Sequence, residues 1–476
     1  MRPGIENPFA PRDHGHFVAI TPRVRLWRSI VNSTLFVGER GCALVDTQVN
    51  HALARRVLAA IEREVGKPLL YVINTHYHWD HTNGNPVFQA AGATLLASRR
   101  TARAMIERAP RQKAFLSGRG FELGPDPTPP DAFAEEHPEL DLGGLTLRLV
   151  PGQRAETADP TLVWCPQERV LAAGDTVMTG SFPIFGQPSQ REGLEDGAWL
   201  TALEEVRSFQ PVFVTPGHGP VAQAAELETL ERICRYFLEQ VPRHHAAGRT
   251  LTETISLMED EMPAWITRIP QVWGTPRYAI LRVWAGLSDL GEPGWQHLKP
   301  SSLPDAAPVT LSERWQEAIE QALEGGDPSQ ALALARAATA AHPQEPGAWT
   351  CLAQTVMACS RSIPSVLEKG DCFATAKAAL ARALAIDPAY GPALLRAGEF
   401  QVMMAFRNGE DPARGLVLLE RAAAWPTLTA RQQAELRFYR GMAARSQNDE
   451  PSAHLHFRAA MALDPSFRPA MLADLA

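Results

Sequence analysis

Hydrophobic positions follow two different rhythms along this chain. Up to about residue 222, short β-prone runs alternate with turns: Val24–Trp27, Ser33–Val37, Cys42–Asp46, Leu69–Ile73, Thr94–Ala97, Thr146–Val150, Thr161–Trp164, Val170–Ala173 and Pro211–Val214. A helical spacing intervenes over 50–65, where His51, Leu53, Ala54, Val57, Leu58 and Ile61 share a face. Strands mixed with helices predict an α/β layered domain over roughly 15–222. The stretch 118–140 is rich in Gly, Pro and Asp and predicts a loop.

Beyond 222 the rhythm becomes helical. Leu227, Leu230, Ile233, Cys234, Phe237 and Leu238 fall on one face, and aromatics come after them at Trp265, Trp273, Tyr278, Trp284 and Trp295. A Pro/Ser-rich linker, Lys299 to Pro308, marks a boundary. The chain then repeats itself: TAKAALARALAIDPAYGPALLRAG from Thr375 is answered by SAHLHFRAAMALDPSFRPAMLAD from Ser452. Pro343, Pro388, Pro426 and Pro465 each stand after an Ala-rich helical run. Small residues let paired helices approach, and Pro stops the second helix of each pair. These units resemble the tetratricopeptide repeat, which implies a stacked solenoid whose groove holds a protein partner. A plain helical bundle is the simpler alternative. The division predicted is 1–222, 223–305 and 306–476.

Composition narrows the partners. The net charge is −7, with 21% charged and 45% apolar residues, and no long basic run appears. A nucleic-acid backbone is therefore a poor main partner. Six cysteines without a CxxC pair fit reduced thiols. The N-terminus has no apolar core of a signal peptide, and no run reaches the ~18 apolar residues that span a bilayer. A cytoplasmic protein with no membrane span is expected.

The chemistry concentrates at His76-Tyr77-His78-Trp79-Asp80-His81, directly behind the apolar run Leu69–Ile73. Imidazole and carboxylate together suit zinc, or manganese or iron. Two histidines two apart can hold one metal, while Asp80 and His81 turn toward a second. Further ligands should come from other strand-end loops. Glu156 (in Ala155-Glu156-Thr157), Asp175 (in Gly174-Asp175-Thr176) and His218 (in Gly217-His218-Gly219) each stand after a β run. Singly, an Asp after Gly is usually a turn residue and a lone His a surface one; four such loops in order carry more weight.

That order resembles the metallo-β-lactamase superfamily of metallohydrolases over about 20–222. The resemblance implies an αββα sandwich, continued here by a helical extension and an all-α solenoid. It implies that His76, His78 and Glu156 hold one metal, that Asp80, His81 and His218 hold the other, and that Asp175 bridges. Asp46 would order the site rather than bind metal. Glu156, where most relatives have His, resembles the alkylsulfatase branch, as does Phe182-Pro183. So does the tail Gly248 to Trp284, which is similar to that branch's dimerisation region and implies a homodimer. The sequence departs from that branch in having Ile184, Phe185 and Gly186 after Phe-Pro, with Ser189 where Arg is expected.

Metal-assisted hydrolysis of an ester-type bond (carboxylic ester, lactone, thioester or sulfate ester) in a small-molecule substrate is the expected reaction. Two ions, expected to be Zn2+ with Mn2+ or Fe as alternatives, lower the pKa of a shared water, and Asp80 or Asp175 orients the resulting hydroxide. Three carboxylates nearly offset two divalent ions plus hydroxide, which makes the metals milder Lewis acids. Tyr77, Trp79, Phe182, Phe185 and the 118–140 loop are candidate pocket walls, and ordinary core packing is at least as strong a reading for each. Two other functions fit the residues: a partner-binding scaffold whose metal domain is structural, and an iron-dependent oxidoreductase on the same fold.

Overall fold

The computed structural model describes residues 15–118, 128–186, 197–287, 314–361, 363, 366–467 and 469–470. Trp295, Ser189 and the linker from Lys299 lie outside these. The chain divides into two compact units, one covering most of the chain up to residue 299 and the other most of residues 300–476. Among the described residues no helix is long and apolar enough to cross a membrane.

The first unit is built on two sheets. The seven-stranded sheet runs in sequence order: β1 (Val18–Ala19), β2 (Val24–Trp27), β3 (Ser33–Val37), β4 (Cys42–Val45), β5 (Leu69–Ile73), β6 (Thr94–Ala97) and β7 (Ala132–Phe133). Pairing is antiparallel as far as β4 and parallel from β4 to β7. The five-stranded sheet comprises β8 (Glu139–Asp141), β9 (Thr146–Pro151), β10 (Thr161–Cys165), β11 (Val170–Met178) and β12 (Phe213–His218), with β11 and β12 parallel.

Side chains alternate across each strand, so one run of apolar residues serves two layers. Phe36, Ala43, Val45, Ile73 and Leu96 meet Leu147, Leu149, Val163, Val170 and Ala172 between the sheets. Their neighbours Leu35, Leu44, Val72 and Leu95 turn outward and pack on Val57 and Ile61 of α1 (His51–Glu64). Asn50 caps that helix, its side chain accepting from Leu53 N at 2.8 Å. On the opposite face, Leu162, Trp164, Leu171 and Val214 pack on Trp199 and Leu203 of α6 (Ala198–Ser208). The result is the predicted αββα sandwich.

The outer core on the α6 side does not stop there. Leu227, Leu230, Ile233 and Phe237 of α7 (Ala224–Ala246) and Ala279, Ile280 and Val283 of α10 (Pro276–Leu287) belong to the same continuous cluster.

Three local expectations need correction. Strand β11 continues through Gly174-Asp175-Thr176 to Met178, so Asp175 sits within a strand and not in a loop after it. The β-prone Thr176-Val177-Met178 carries the strand on, across register irregularities at Gly174. Strand β12 begins at Phe213 rather than Pro211 and reaches His218; it lies at the sheet edge, where Pro216 costs no ladder bond. Within the 118–140 stretch, of which 119–127 lie outside the described residues, two short strands interrupt the predicted loop: β7 and the start of β8. These strands of two and three residues are too short for a periodic pattern to register.

In the second unit eight described helices pack as successive pairs. The first pair is α11 (Trp315–Glu324) with α12 (Pro328–Ala341), the second α13 (Pro346–Ser360) with α14 (Val366–Ile386). The third is α15 (Gly391–Asn408) with α16 (Ala413–Ala423), the fourth α17 (Ala430–Ser446) with α18 (Glu450–Leu463). Pro343, Pro388, Pro426 and Pro465 each stand just past the second helix of a pair. Close approach within the third pair depends on Gly398, where a β-carbon would lie 2.8 Å from Leu419 Cδ2 and 3.1 Å from Gly415 O.

Candidate metal centre

The site forms where strands of both sheets end. His76 and His78 lie in the turn after β5, and Asp80 and His81 on the single-turn helix α2 (Trp79–Thr82). Glu156 comes from the β9–β10 connection, Asp175 from within β11 and His218 from the end of β12. All seven predicted ligands converge, and all but half-buried Asp80 are buried.

They converge in two sets. One ligand atom each from His76, His78, Glu156 and Asp175 lie within 4.8 Å of one another, and so do those of Asp80, His81 and His218. Within the first set, His78 Nδ1 is 3.3 Å from Glu156 Oε2 and His76 Nε2 is 3.8 Å from Asp175 Oδ2. Within the second, His218 Nε2 is 3.3 Å and His81 Nε2 3.7 Å from Asp80 Oδ2. Asp175 joins the two: its Oδ1 lies 3.4 Å from His81 Nε2 and its Oδ2 3.4 Å from His218 Nε2.

Outer contacts fix which nitrogen of three rings faces inward. His81 Nδ1 donates to Asp46 Oδ2 at 2.8 Å, and His218 Nδ1 donates to Ile30 O at 2.8 Å. Thr75 Oγ1 donates to Asp46 Oδ2 at 2.9 Å and accepts from His76 Nδ1 at 2.9 Å. In each ring Nε2 is left for the centre, as in metal sites whose histidines are oriented by a second partner. Asp46 reaches this position with φ of 64°, a left-handed conformation that Asp tolerates better than most residues.

Glycines set the closeness. At Gly217 a β-carbon would fall on Asp175 Oδ1 and lie 2.9 Å from His81 Cε1. Gly174 has φ of 50° and faces the Thr75 side chain.

Charge is badly balanced without a cation. Burial holds His76 well below the ordinary imidazole range, with His81 and His78 pushing the same way. Burial also brings His78 down to about 4, against the pull of Asp80 and Asp175. Glu156 is pushed well up by burial and then by Asp175 and Asp80. For His218 burial opposes charge, but Asp175 and Asp80 outweigh it and raise the ring to about 10. Asp175, Asp46 and Asp80 likewise outweigh burial at His81 and raise it. Meanwhile His76 Nε2, His81 Nε2, Glu156 Oε2 and Asp175 Oδ1 are buried without a hydrogen-bond partner. Such atoms are costly to leave unmade. A pair of divalent cations fits this donor set: it would bind every orphaned atom and neutralise the three carboxylates.

Several supporting residues carry no sequence signal of their own. Asn32 donates through Nδ2 to Pro216 O at 2.9 Å and Gly219 O at 2.8 Å, clamping the turn that bears His218. Asp159 Oδ2 accepts from Tyr77 N at 3.1 Å, between the two first histidines. Trp273 places its ring 4.5 Å from that of His218, centroid to centroid.

For three of the four aromatic candidates for pocket walls, the core-packing reading is the one the structure bears out. Tyr77, Phe182 and Phe185 are fully buried core residues, Phe182 and Phe185 packing on Phe237. Core packing outcompetes wall lining for large rings because it removes their whole surface from water. Trp79 is half-buried and packs with Ile30 against Val31, Val49 and Leu53.

Residues 26–220 match the model of the metallo-beta-lactamase superfamily, and 312–355 that of the tetratricopeptide repeat. The chain is 22% identical over 314 residues to a linear primary-alkylsulfatase from Pseudomonas sp., covering 58% of each protein. It is 26% identical over 192 residues to the metallo-beta-lactamase type 2 of Bacillus cereus, covering 40% of this chain and 67% of that one. The chain thus spans less than two thirds of the alkylsulfatase's length. Among solved structures, the stereoselective inverting sec-alkylsulfatase Pisa1 from Pseudomonas sp. aligns with a TM-score of 0.54 at 14% identity, over 89% of this chain and 70% of that one. A double mutant of that sulfatase aligns at 0.55 and 15% identity, over 76% and 65%. Residues 26–220 thus carry a metallo-beta-lactamase superfamily domain, and residues 312–355, in the helical part that follows, match the tetratricopeptide repeat.

Proposed function

We propose that the protein is a metal-dependent hydrolase acting on an ester-type bond: a carboxylic ester, lactone, thioester or sulfate ester of a small molecule. One observation carries the reading: two ligand sets share Asp175, and four of their inward atoms are buried without a partner. His76, His78 and Glu156 would hold one ion, Asp80, His81 and His218 the other, with Asp175 between them. The donor set of nitrogen and carboxylate oxygen favours zinc, with manganese or iron as alternatives. Two such ions supply an acidified water as nucleophile and polarise the substrate oxygen.

The chain's own groups do the rest. Asp80, half-buried where the other ligands are buried, is the carboxylate placed to orient the attacking water from the open side. Asp175 fixes the separation of the two sets by contacting His76, His81 and His218 together. Asp46 and Thr75 hold two imidazoles in the inward-facing tautomer.

The similarity to an alkylsulfatase adds sulfate esters to the substrates worth testing. A homodimer, a protein partner on the helical repeats and a cytoplasmic location belong to the same reading. The thiols support the last: none of the six cysteines forms a disulfide.

Metal analysis of purified protein, then assay on lactone, thioester, carboxylic, sulfate and phosphate esters, tests the proposal. Two ions per chain and hydrolysis of one ester class are expected, both lost in His76→Ala and Asp80→Ala. Hydrolysis undiminished in either variant would overturn it.

A further inference from the structure

We infer that Trp273 is a positioning residue for His218, so that the helical segment after the sandwich completes the metal centre. The inference rests on the metal-binding reading above. The two rings lie 4.5 Å apart with planes tilted by 45°. His218 donates from Nδ1 to Ile30 O, and Asp80 Oδ2 and Asp175 Oδ2 face its Nε2 at 3.3 and 3.4 Å, contacts at the ring edge that leave its tilt to whatever packs beside it. The tilted indole ring against the imidazole restrains that tilt, and with it the direction in which Nε2 points.

Trp273 is not a core residue that happens to lie nearby. It is only half-buried, on the connection between α9 (Ala264–Thr267) and α10. Backbone bonds fix that connection to the segment after β11. Ser181 Oγ donates to Pro270 O at 2.8 Å and accepts from Val272 N at 2.9 Å and Trp273 N at 3.2 Å. Phe182 N donates to Pro270 O at 2.6 Å and Gly274 N to Phe182 O at 3.1 Å. Gly274 permits this approach, since a β-carbon there would fall on Pro183 O. The same segment holds the end of β12, Thr179 N donating to His218 O at 3.2 Å. Indole and imidazole are therefore referenced to one backbone segment through short links.

Cobalt titration of the metal-free full chain, read by visible absorption and by competition with a chromophoric chelator, tests this. Partners that orient a metal-binding histidine are worth roughly 10–100-fold in affinity. Trp273→Ala and Ser181→Ala should weaken one of the two ions roughly tenfold and change its visible bands, while the other ion is unaffected. Trp273→Phe, which keeps an aromatic face, should stay within about twofold of wild type. Should Trp273→Ala fail to fold, the fluorescence difference between wild type and Trp273→Phe serves instead. That emission must be quenched as the weaker or stronger of the two ions enters, and an unquenched signal overturns the inference. Two ions bound with wild-type affinity and spectrum in Trp273→Ala overturn it alone. A wild-type protein that binds no cobalt removes the metal-centre reading and this inference with it.

Discussion

Asp46 Oδ2 lies 2.8 Å from His81 Nδ1, and the same oxygen accepts the Thr75 hydroxyl that in turn holds His76. One carboxylate thus orients a histidine of each ligand set. Asp46→Asn places an amide where either orientation breaks one of these bonds or offers a donor to a donor. Metal affinity is expected to fall by roughly 10–100-fold at both positions. Competition titration with a chromophoric chelator measures it, and a loss confined to one ion would contradict the shared role.

Metal loading should release protons. Burial opposes charge on His218, but Asp175 and Asp80 raise it to about 10, so at pH 7 the metal-free ring holds a proton that an ion must displace. Linkage sets the sign: a raised histidine favours the metal-free form below its folded pKa, and that advantage fades as pH rises toward about 10. Affinity should therefore climb as pH rises from about 6.5 to about 9, by up to about tenfold per unit for each proton displaced. Calorimetry in buffers of different ionisation enthalpy counts those protons. A pH-independent affinity would remove this account of the charge balance.

Gly217 sits where the backbone of β12 brushes the shared carboxylate. A β-carbon there would fall on Asp175 Oδ1 and press on His81 Cε1 at 2.9 Å. Gly217→Ala should cost about 1–3 kcal/mol of stability, as overpacking does, and should reduce bound metal below two per chain. Thermal unfolding and metal analysis on one preparation separate the two effects. A fully loaded, equally stable variant would show that Asp175 can move without consequence.

How much was legible varied with length of signal. The six-residue run His76 to His81, the apolar runs before Glu156, Asp175 and His218, and the resemblance they carry marked the seven residues that come together in the structure. The central strands β2 to β6, β9 and β10 and helix α1 stood close to their predicted bounds because alternation or helical spacing runs through each of them. The strand continuing past Asp175 was not legible, since Gly174-Asp175 reads as a turn in isolation and becomes a strand only by pairing with β12. Trp273 was seen only as one aromatic among several, because its role depends on His218, far back along the chain, meeting it in space. For Phe182 and Phe185 the sequence left wall and core open, because proximity to the ligand loops does not decide which side of the sheet a ring occupies.

The unbroken apolar cluster that joins Trp164, Leu171 and Trp199 to Phe237, Ile280 and Val283 limits where this chain can be cut. Excision at residue 222 would leave the outer face of the five-stranded sheet to α6 alone and uncover Phe182 and Phe185, which pack on Phe237. Limited proteolysis should consequently spare the region between 222 and 287. Swapping the αββα layers into another protein would have to carry those helices along, which makes them part of its inheritance rather than an ornament.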